Sequence, residues 1–364
     1  MIKINNLDRE YSFFSTEINK KILTVLKSGR YILGNEVEKF ESEFASYIGV
    51  KYCVGVANGL EALQIALISL GIGTDDEVIT VSNTAVATVL AITNVGAKPV
   101  FVDINDFYLV DTQLIEKKIT PKTKAIIPVH LYGQVCDMPK IIKLAEKYKL
   151  KIIEDACQAH GAMQGSMKSG SFGNLGCFSF YPTKNLGAYG DGGAIVTNSK
   201  KLYEKCLMLR NYGQKNRYEH EVKGLNSRLD EIQAGILRIK LKQLDKLNEK
   251  RNLLAKIYFE NLSGIGQIKL PEIFISNNHV FHLFVIQVEN RNALVSYLKE
   301  NNIESLIHYP IPIHKQECYK EFGNVKLSRT EYFADNIVSL PINPFLTKNE
   351  VIEVCRKIAK FYSD

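Results

Sequence analysis

The chain has 364 residues, 46% of them hydrophobic and 23% charged. That composition excludes wholesale disorder and a collagen-like fibre, and the length suits one large domain and a smaller one. The 46 basic and 39 acidic side chains leave a net charge of +7 spread along the sequence. Such a surface suits anionic small ligands, and neither a concentrated basic face nor a nucleic-acid module is visible.

The first predicted element is a helix over Ser15–Lys27, in which Ile18, Ile22, Val25 and Leu26 recur at helical spacing. Ser15 or Thr16 suits its start, and Gly29 its end. A second helix, Glu36–Ile48, lines up Val37, Phe40, Phe44 and Ile48. The segment between them, Gly29 to Gly34, reads as a loop. From residue 50 to about 200 short apolar runs alternate with helical ones. Tyr52–Ala57, Glu77–Val81, Pro99–Asp103, Ala125–Val129, Lys151–Glu154 and Cys177–Phe180 read as strands. Glu61–Leu70, Ala85–Val95, Thr112–Lys118 and Met138–Tyr148 read as helices. That alternation predicts an α/β fold around a mostly parallel sheet buried on both faces.

Beyond residue 200 the pattern is helical, with Leu202–Leu209 and one long run, Leu229–Asn252. Val280–Val288 then reads as a strand, and Arg291–Glu300 and Asn349–Phe361 as helices. The expected division is a large α/β domain over residues 1–247 and a smaller α+β domain over 248–364.

The seven cysteines include no C-x-x-C pair, so a disulfide scaffold and a zinc ribbon are both unsupported. No apolar run is long enough to cross a membrane, and MIKINNLDREYSFF lacks a signal-peptide pattern, which predicts a cytoplasmic protein. His279 and His282 lie three apart on a predicted strand and face opposite sides, so no metal site is expected there.

The densest chemistry lies between residues 151 and 197. Asp155 follows a predicted strand, and ligands of open α/β sheets bind at the carboxyl ends of strands. Lys184 sits in a glycine-rich loop, CFSFYPTKNLGAYGDGG. A pyridoxal phosphate site needs an amine for a Schiff base and a carboxylate opposite the pyridine nitrogen. It also needs a phosphate cradle of backbone N–H groups at a helix start. Lys184 and Asp155 supply the first two. Asn58-Gly59-Leu60-Glu61 leads from a strand into a helix, and Gly59 permits close approach of the backbone to a phosphate. Ser179 adds a hydroxyl, and Gln158 an amide for the phenolic oxygen. No G-x-G-x-x-G follows a strand, which argues against a nicotinamide dehydrogenase.

EDACQAHGA, SFGNLGCFSFYPTKNLGAYGDGGAIVT, LRNYG and KGLNSRLDEIQAGIL resemble the DegT/StrS-type nucleotide-sugar aminotransferases, from about residue 8 to the C-terminus. SNTAVATVLAI, VHLYGQ and YEHEVKGLNSRLDE are most similar to the branch that acts at C3 of dTDP-3-keto-6-deoxyhexoses. The resemblance implies a pyridoxal-phosphate transferase of fold type I, the aspartate-aminotransferase class. It implies that Lys184 carries the Schiff base and shuttles a proton, that Asp155 pairs with the pyridinium nitrogen, and that Gln158 contacts the ring hydroxyl. Gly59, Leu60 and Ser179 would hold the phosphate. Asn226 would reach the phosphate of a neighbouring subunit in a homodimer, with Arg228 near it. Arg30, Tyr31, Arg228, His308, Tyr309 and His314 are the substrate candidates, with Arg210, Tyr212 and Tyr218 further ones. Glutamate would be the donor, leaving pyridoxamine phosphate (PMP) for a second half-reaction with a nucleotide-linked keto sugar. The alternatives on this scaffold are a C4-specific aminotransferase and a regulatory or binding relative without turnover. A sugar 3-dehydratase would carry histidine in place of Lys184. One departure is Ala85, where many relatives carry an aromatic residue against the cofactor ring; Val86 or His160 are the neighbours available for that face.

Overall fold

A computed structural model describes residues 1–274 and 277–363. Its centre is a seven-stranded sheet of β1 (Tyr52–Val56), β2 (Glu77–Val81), β3 (Lys98–Val102), β4 (Thr123–Ile126), β5 (Lys151–Asp155), β6 (Leu175–Ser179) and β7 (Gly193–Thr197). Their order is β1-β7-β6-β5-β4-β2-β3. The strands from β3 to β6 pair in parallel, and β7 runs antiparallel to both β6 and β1. The reversal has a simple cause. Parallel neighbours need a crossover, usually helical, whereas β6 reaches β7 through the short loop 180–192 that carries Lys184. The sequence pattern hides β7, because its Gly193-Ala194-Ile195-Val196 run continues the glycine-rich loop. All four residues are buried.

Helices α1 (Leu7–Ser28), α2 (Asn35–Ile48), α3 (Gly59–Ser69), α4 (Val86–Asn94), α5 (Met138–Tyr148), α6 (Lys200–Arg210) and α7 (Glu231–Leu241) belong to this part of the chain. Strands of such a sheet read as nearly continuous apolar runs because both faces are covered. Ala62, Leu63, Ile65 and Ala66 of α3 pack with Val54, Ile153, Leu175 and Ile195. Phe40 and Phe44 of α2 meet Phe178 and Phe180 near β6. α1 begins at Leu7, eight residues before its predicted start, because Asn6 accepts a hydrogen bond from the Arg9 N–H at 3.3 Å. Ser15 bonds to the Ser12 carbonyl inside the helix instead. α1 ends at Gly29, whose φ of 66° is the left-handed conformation glycine adopts freely.

Charged side chains tie these helices together. Glu231 accepts from the N–H groups of Gly34, Glu36 and Val37 at 2.8–2.9 Å, capping α2 from another helix. Lys240, buried on α7, donates to the Gly187 carbonyl at 2.6 Å and pairs with Glu10 of α1.

The predicted run Leu229–Asn252 breaks at Lys242–Gln243 into α7 and α8 (Leu244–Leu262). α8 packs with a second sheet, β8 (Ile268–Lys269), β9 (Phe284–Val288) and β10 (Ile337–Leu340), in the order β8-β9-β10. α9 (Arg291–Glu300) and α11 (Lys348–Ser363) complete its core, in which Tyr258, Phe284, Leu294, Val351 and Ile358 are buried. α10 (Ser328–Asn336) leads into β10, and Asp103 at the end of β3 accepts from its Arg329 and Thr330 N–H groups, both at 2.9 Å. The predicted strand from Val280 begins only at Phe284. Val280 and Leu283 bond instead to the Gly133 and Tyr132 carbonyls, which joins this segment to the turn that follows β4. Among the described residues no helix is long and apolar enough to cross a membrane.

Candidate active site

A cavity of about 470 Å³ opens at the carboxyl ends of the parallel strands. Gly59, Leu60, Asp155, Gln158, Ser179, Lys184, His308 and Tyr309 all line it, so eight residues singled out in the sequence meet in one place. Asp155 closes β5, Ser179 closes β6, and Lys184 follows in the loop to β7. α3 begins at the cavity wall. Its cap is Asn58, whose side chain accepts from the Glu61 N–H at 2.9 Å. The first N–H groups of a helix have no partner within it and attract anions. A Cβ on Gly59 would stand 2.7 Å from the Ser179 Cβ and 3.0 Å from the Cys157 sulfur, so only glycine lets α3 start this close to β6.

Asp155 is nearly wholly buried and fixed at both oxygens. Oδ2 accepts from the Thr88 hydroxyl at 2.7 Å, and Oδ1 from the Cys157 N–H at 3.2 Å. Gln158 is oriented in the same manner. Its Oε1 accepts from the Tyr132 N–H at 2.9 Å, which turns its amide NH₂ toward the Tyr309 hydroxyl, 3.0 Å away. The Tyr132 hydroxyl in turn donates to the His308 carbonyl.

Burial lowers the Lys184 ammonium from its ordinary range, against the opposing influence of Cys157 and Asp155. The amine therefore gives up its proton more readily than a surface lysine. Around it the histidines are neutral. Burial and then the Lys184 charge bring His308 down to about 4 and His160 to about 3. Burial raises Tyr309 to about 12, with the Gln158 bond acting the other way, so its hydroxyl keeps its proton.

His282 also lines the cavity, with Nδ1 3.2 Å from the Asn185 side-chain oxygen, while His279 stays behind it, accepting from the Phe281 N–H at 2.9 Å. Among the described residues no group of three or more His, Cys, Asp or Glu is placed to hold a metal ion.

The other candidates lie elsewhere. His314 is fully buried away from the cavity, its ring held by Ser82 at 2.7 Å and Glu331 at 3.0 Å, so it anchors the C-terminal segment to the end of β2. Val86 and His160, the neighbours considered for the ring face, are also outside the lining, which on that side is Thr84, Ala85 and Ala87. His160 instead sits among Phe178 and Phe180. Arg30, Tyr31, Asn226 and Arg228 are outside the lining as well. Ile32 bridges to Asp230, the Tyr31 carbonyl accepts from the Glu231 N–H at 3.1 Å, and Arg228 lies over the Tyr212 ring. Thr88, Tyr132, Cys157 and Asn185 carry no signal of their own in the sequence, because their partners come from distant elements.

The cavity meets the needs of pyridoxal phosphate on its own geometry: a desolvated amine, a buried carboxylate held at both oxygens, an oriented amide, and a helix start that a side chain at Gly59 would block. The model of the DegT/DnrJ/EryC1/StrS aminotransferase family matches residues 14–359. The chain belongs to that family. It is 50% identical over 350 residues to the dTDP-3-amino-3,6-dideoxy-alpha-D-galactopyranose transaminase of Aneurinibacillus thermoaerophilus, covering 96% of each chain. Among solved structures it resembles Streptomyces venezuelae DesV in complex with a ketimine intermediate, with TM-score 0.97 and 44% identity over 100% of this chain and 98% of the other. It also resembles Bacillus subtilis NtdA with bound cofactor PMP, with TM-score 0.92 and 33% identity over 99% of this chain and 83% of the other. The aminotransferases of this family depend on pyridoxal phosphate, and the chain is such an enzyme.

Proposed function

We propose that this aminotransferase moves the amino group of glutamate to C3 of a dTDP-linked 3-keto-6-deoxyhexose, and that it works as a homodimer. The observation that carries the reading is the placement of Lys184 and Asp155 on one cavity at the start of α3. The substrate follows from the transaminase of A. thermoaerophilus, half of whose residues this chain shares.

When bound, pyridoxal phosphate supplies an aldehyde to hold the amine and a ring to take up electrons. The chain's residues do the rest. Gly59, Leu60 and Ser179 would hold its phosphate, Asp155 would partner its ring nitrogen, and the Gln158 amide would serve its ring oxygen. Lys184, its ammonium disfavoured by burial, takes a proton from the donor's α-carbon as a neutral amine and returns one to the sugar carbon. His308, neutral, and Tyr309, protonated, offer hydrogen bonds without adding charge. Arg30, Tyr31, Asn226 and Arg228 suit a role across a subunit boundary. They lie outside their own chain's cavity, and Arg30, Tyr31 and Asn226 are exposed. A division near residue 247 fits the same reading, with the His308–Tyr309 segment closing the site.

The purified protein is expected to absorb visible light and to lose that band when glutamate is added without a sugar. A panel of dTDP-linked and UDP-linked keto sugars then tests the acceptor, dTDP-3-keto-6-deoxyhexoses being the expected substrates. Lys184→Ala is expected to keep its fold and lose turnover altogether; transamination surviving in that variant would refute the assignment. A regulatory protein without turnover would fail the glutamate half-reaction, and the intact Lys184, Asp155 and Gln158 speak against it.

A further inference from the structure

Thr88 is wholly buried on the first turn of α4, and its hydroxyl donates to Asp155 Oδ2 at 2.7 Å. The only proton of that hydroxyl is thereby committed. Thr84 Oγ1 stands 2.8 Å from Thr88 Oγ1, so Thr84 must be the donor in that pair. The two hydroxyls form a directed chain that runs from the cavity wall, behind it, and ends on the carboxylate. Helical threonines commonly bond back to their own helix, and Ala85, which caps α4, offers no side chain. Thr88 instead turns to a different strand. With the Cys157 N–H on Oδ1, this bond leaves Asp155 no freedom to rotate.

We infer that the Thr84–Thr88 relay is a positioning device for the reaction: it aims the Asp155 carboxylate at the place the cofactor's ring nitrogen would take. The inference rests on the reading of Asp155 given above. A hydrogen bond to a carboxylate is shorter and stronger than a neutral one, and a donor that itself accepts a hydrogen bond is a better donor. A carboxylate stripped of that donor is held at Oδ1 alone and can turn away from its aim. Thr88 does not line the cavity and acts through Asp155.

The test measures affinity of the cofactor-free protein for PMP and for its 1-deaza analogue, which has carbon at the ring-nitrogen position and no proton to give Asp155. Wild-type protein is expected to prefer PMP. Equal affinity would overturn the Asp155 assignment itself, independently of the threonines. In Thr88→Val, which keeps the shape and removes the hydroxyl, PMP affinity is expected to fall by roughly 10-fold or more while the deaza analogue binds as before. Thr88→Ser is expected to restore PMP affinity. Thr84→Val, which leaves the Thr88 bond in place, is expected to give a fall of about threefold, again for PMP alone. Equal losses for both ligands would reduce Thr88 to a packing residue and overturn the proposal. So would unchanged PMP affinity in Thr88→Val. If that variant does not fold, the Thr84→Val pair of affinities decides by the same criterion.

Discussion

The cavity has two walls of different origin. One comes from the main sheet: Gly59, Asp155, Gln158, Ser179 and Lys184 stand at strand ends or just past them. The other comes from the later part of the chain: His282, His308 and Tyr309 reach in from segments flanking the second sheet. The first wall carries the groups able to hold charge or move a proton. The second presents two neutral imidazoles and a phenol that burial keeps protonated. The difference teaches that the titratable groups of the site stand at strand ends or in the loop that follows one, whereas the wall that covers them is made of groups that bond without bringing competing charge into a dry space.

The largest effect that sharpens this contrast is expected on the sheet side. Asp155→Asn keeps the size of the side chain and removes its charge. Turnover should fall by roughly 10²–10³-fold, the scale of losing a preorganised electrostatic partner. Single-turnover rates with glutamate check it, and a loss below tenfold would count against the role of the carboxylate.

The covering side is expected to show itself in acid. Burial holds His279 at about 3, and burial with the Lys184 charge holds His308 at about 4, against an ordinary value of about 6.5. The unfolded chain therefore binds more protons between roughly pH 6.5 and 4, and stability falls as pH drops through that window. Urea midpoints should decline as pH falls through that window. His279→Asn, which can still accept from the Phe281 N–H, should make that decline shallower. A variant with the same slope as the parent would remove His279 from the explanation.

Gly59→Val probes the join between the walls and the cofactor. Its side chain collides with Ser179 and Cys157, an overpacking of about 1–3 kcal/mol. Thermal denaturation should show a lower midpoint, and affinity should fall further for the phosphate-bearing cofactor than for pyridoxal lacking the phosphate. The smallest effect is expected for Tyr309→Phe, which removes the hydroxyl that steadies Gln158 from the covering side. One neutral hydrogen bond is worth about 0.5–1.5 kcal/mol, so cofactor affinity should fall by a few-fold with the fold intact.

Much of the sheet wall was legible in the sequence. β1 to β6 announced themselves as short apolar runs between helices, and EDACQ and the lysine loop marked strand ends. The periodicity of α1 emerged only after its first two turns, because LDREYS carries few apolar residues and its cap, Asn6, acts through a single bond. β7 merged with the glycine run before it. The break at Lys242–Gln243 involves no proline or glycine and left no local mark. His314 looked like a site residue from its neighbours in IHYPIPIHKQ, but its ring faces Ser82 and Glu331, partners 232 and 17 positions away. Thr88 was invisible for the same reason: what matters about it is a bond to a residue 67 positions later, and no window of sequence records that.

The pairing of Glu10 with Lys240, and of Lys240 with the Gly187 carbonyl, reaches further than its size suggests. The clasp joins the opening helix of the chain to the backbone three residues beyond the reactive amine. Trimming the leading ten residues would leave a sequestered cation without its counterion and slacken the loop it grips. The opening helix thus helps to hold the loop that carries Lys184, and loss of Glu10 would be felt there.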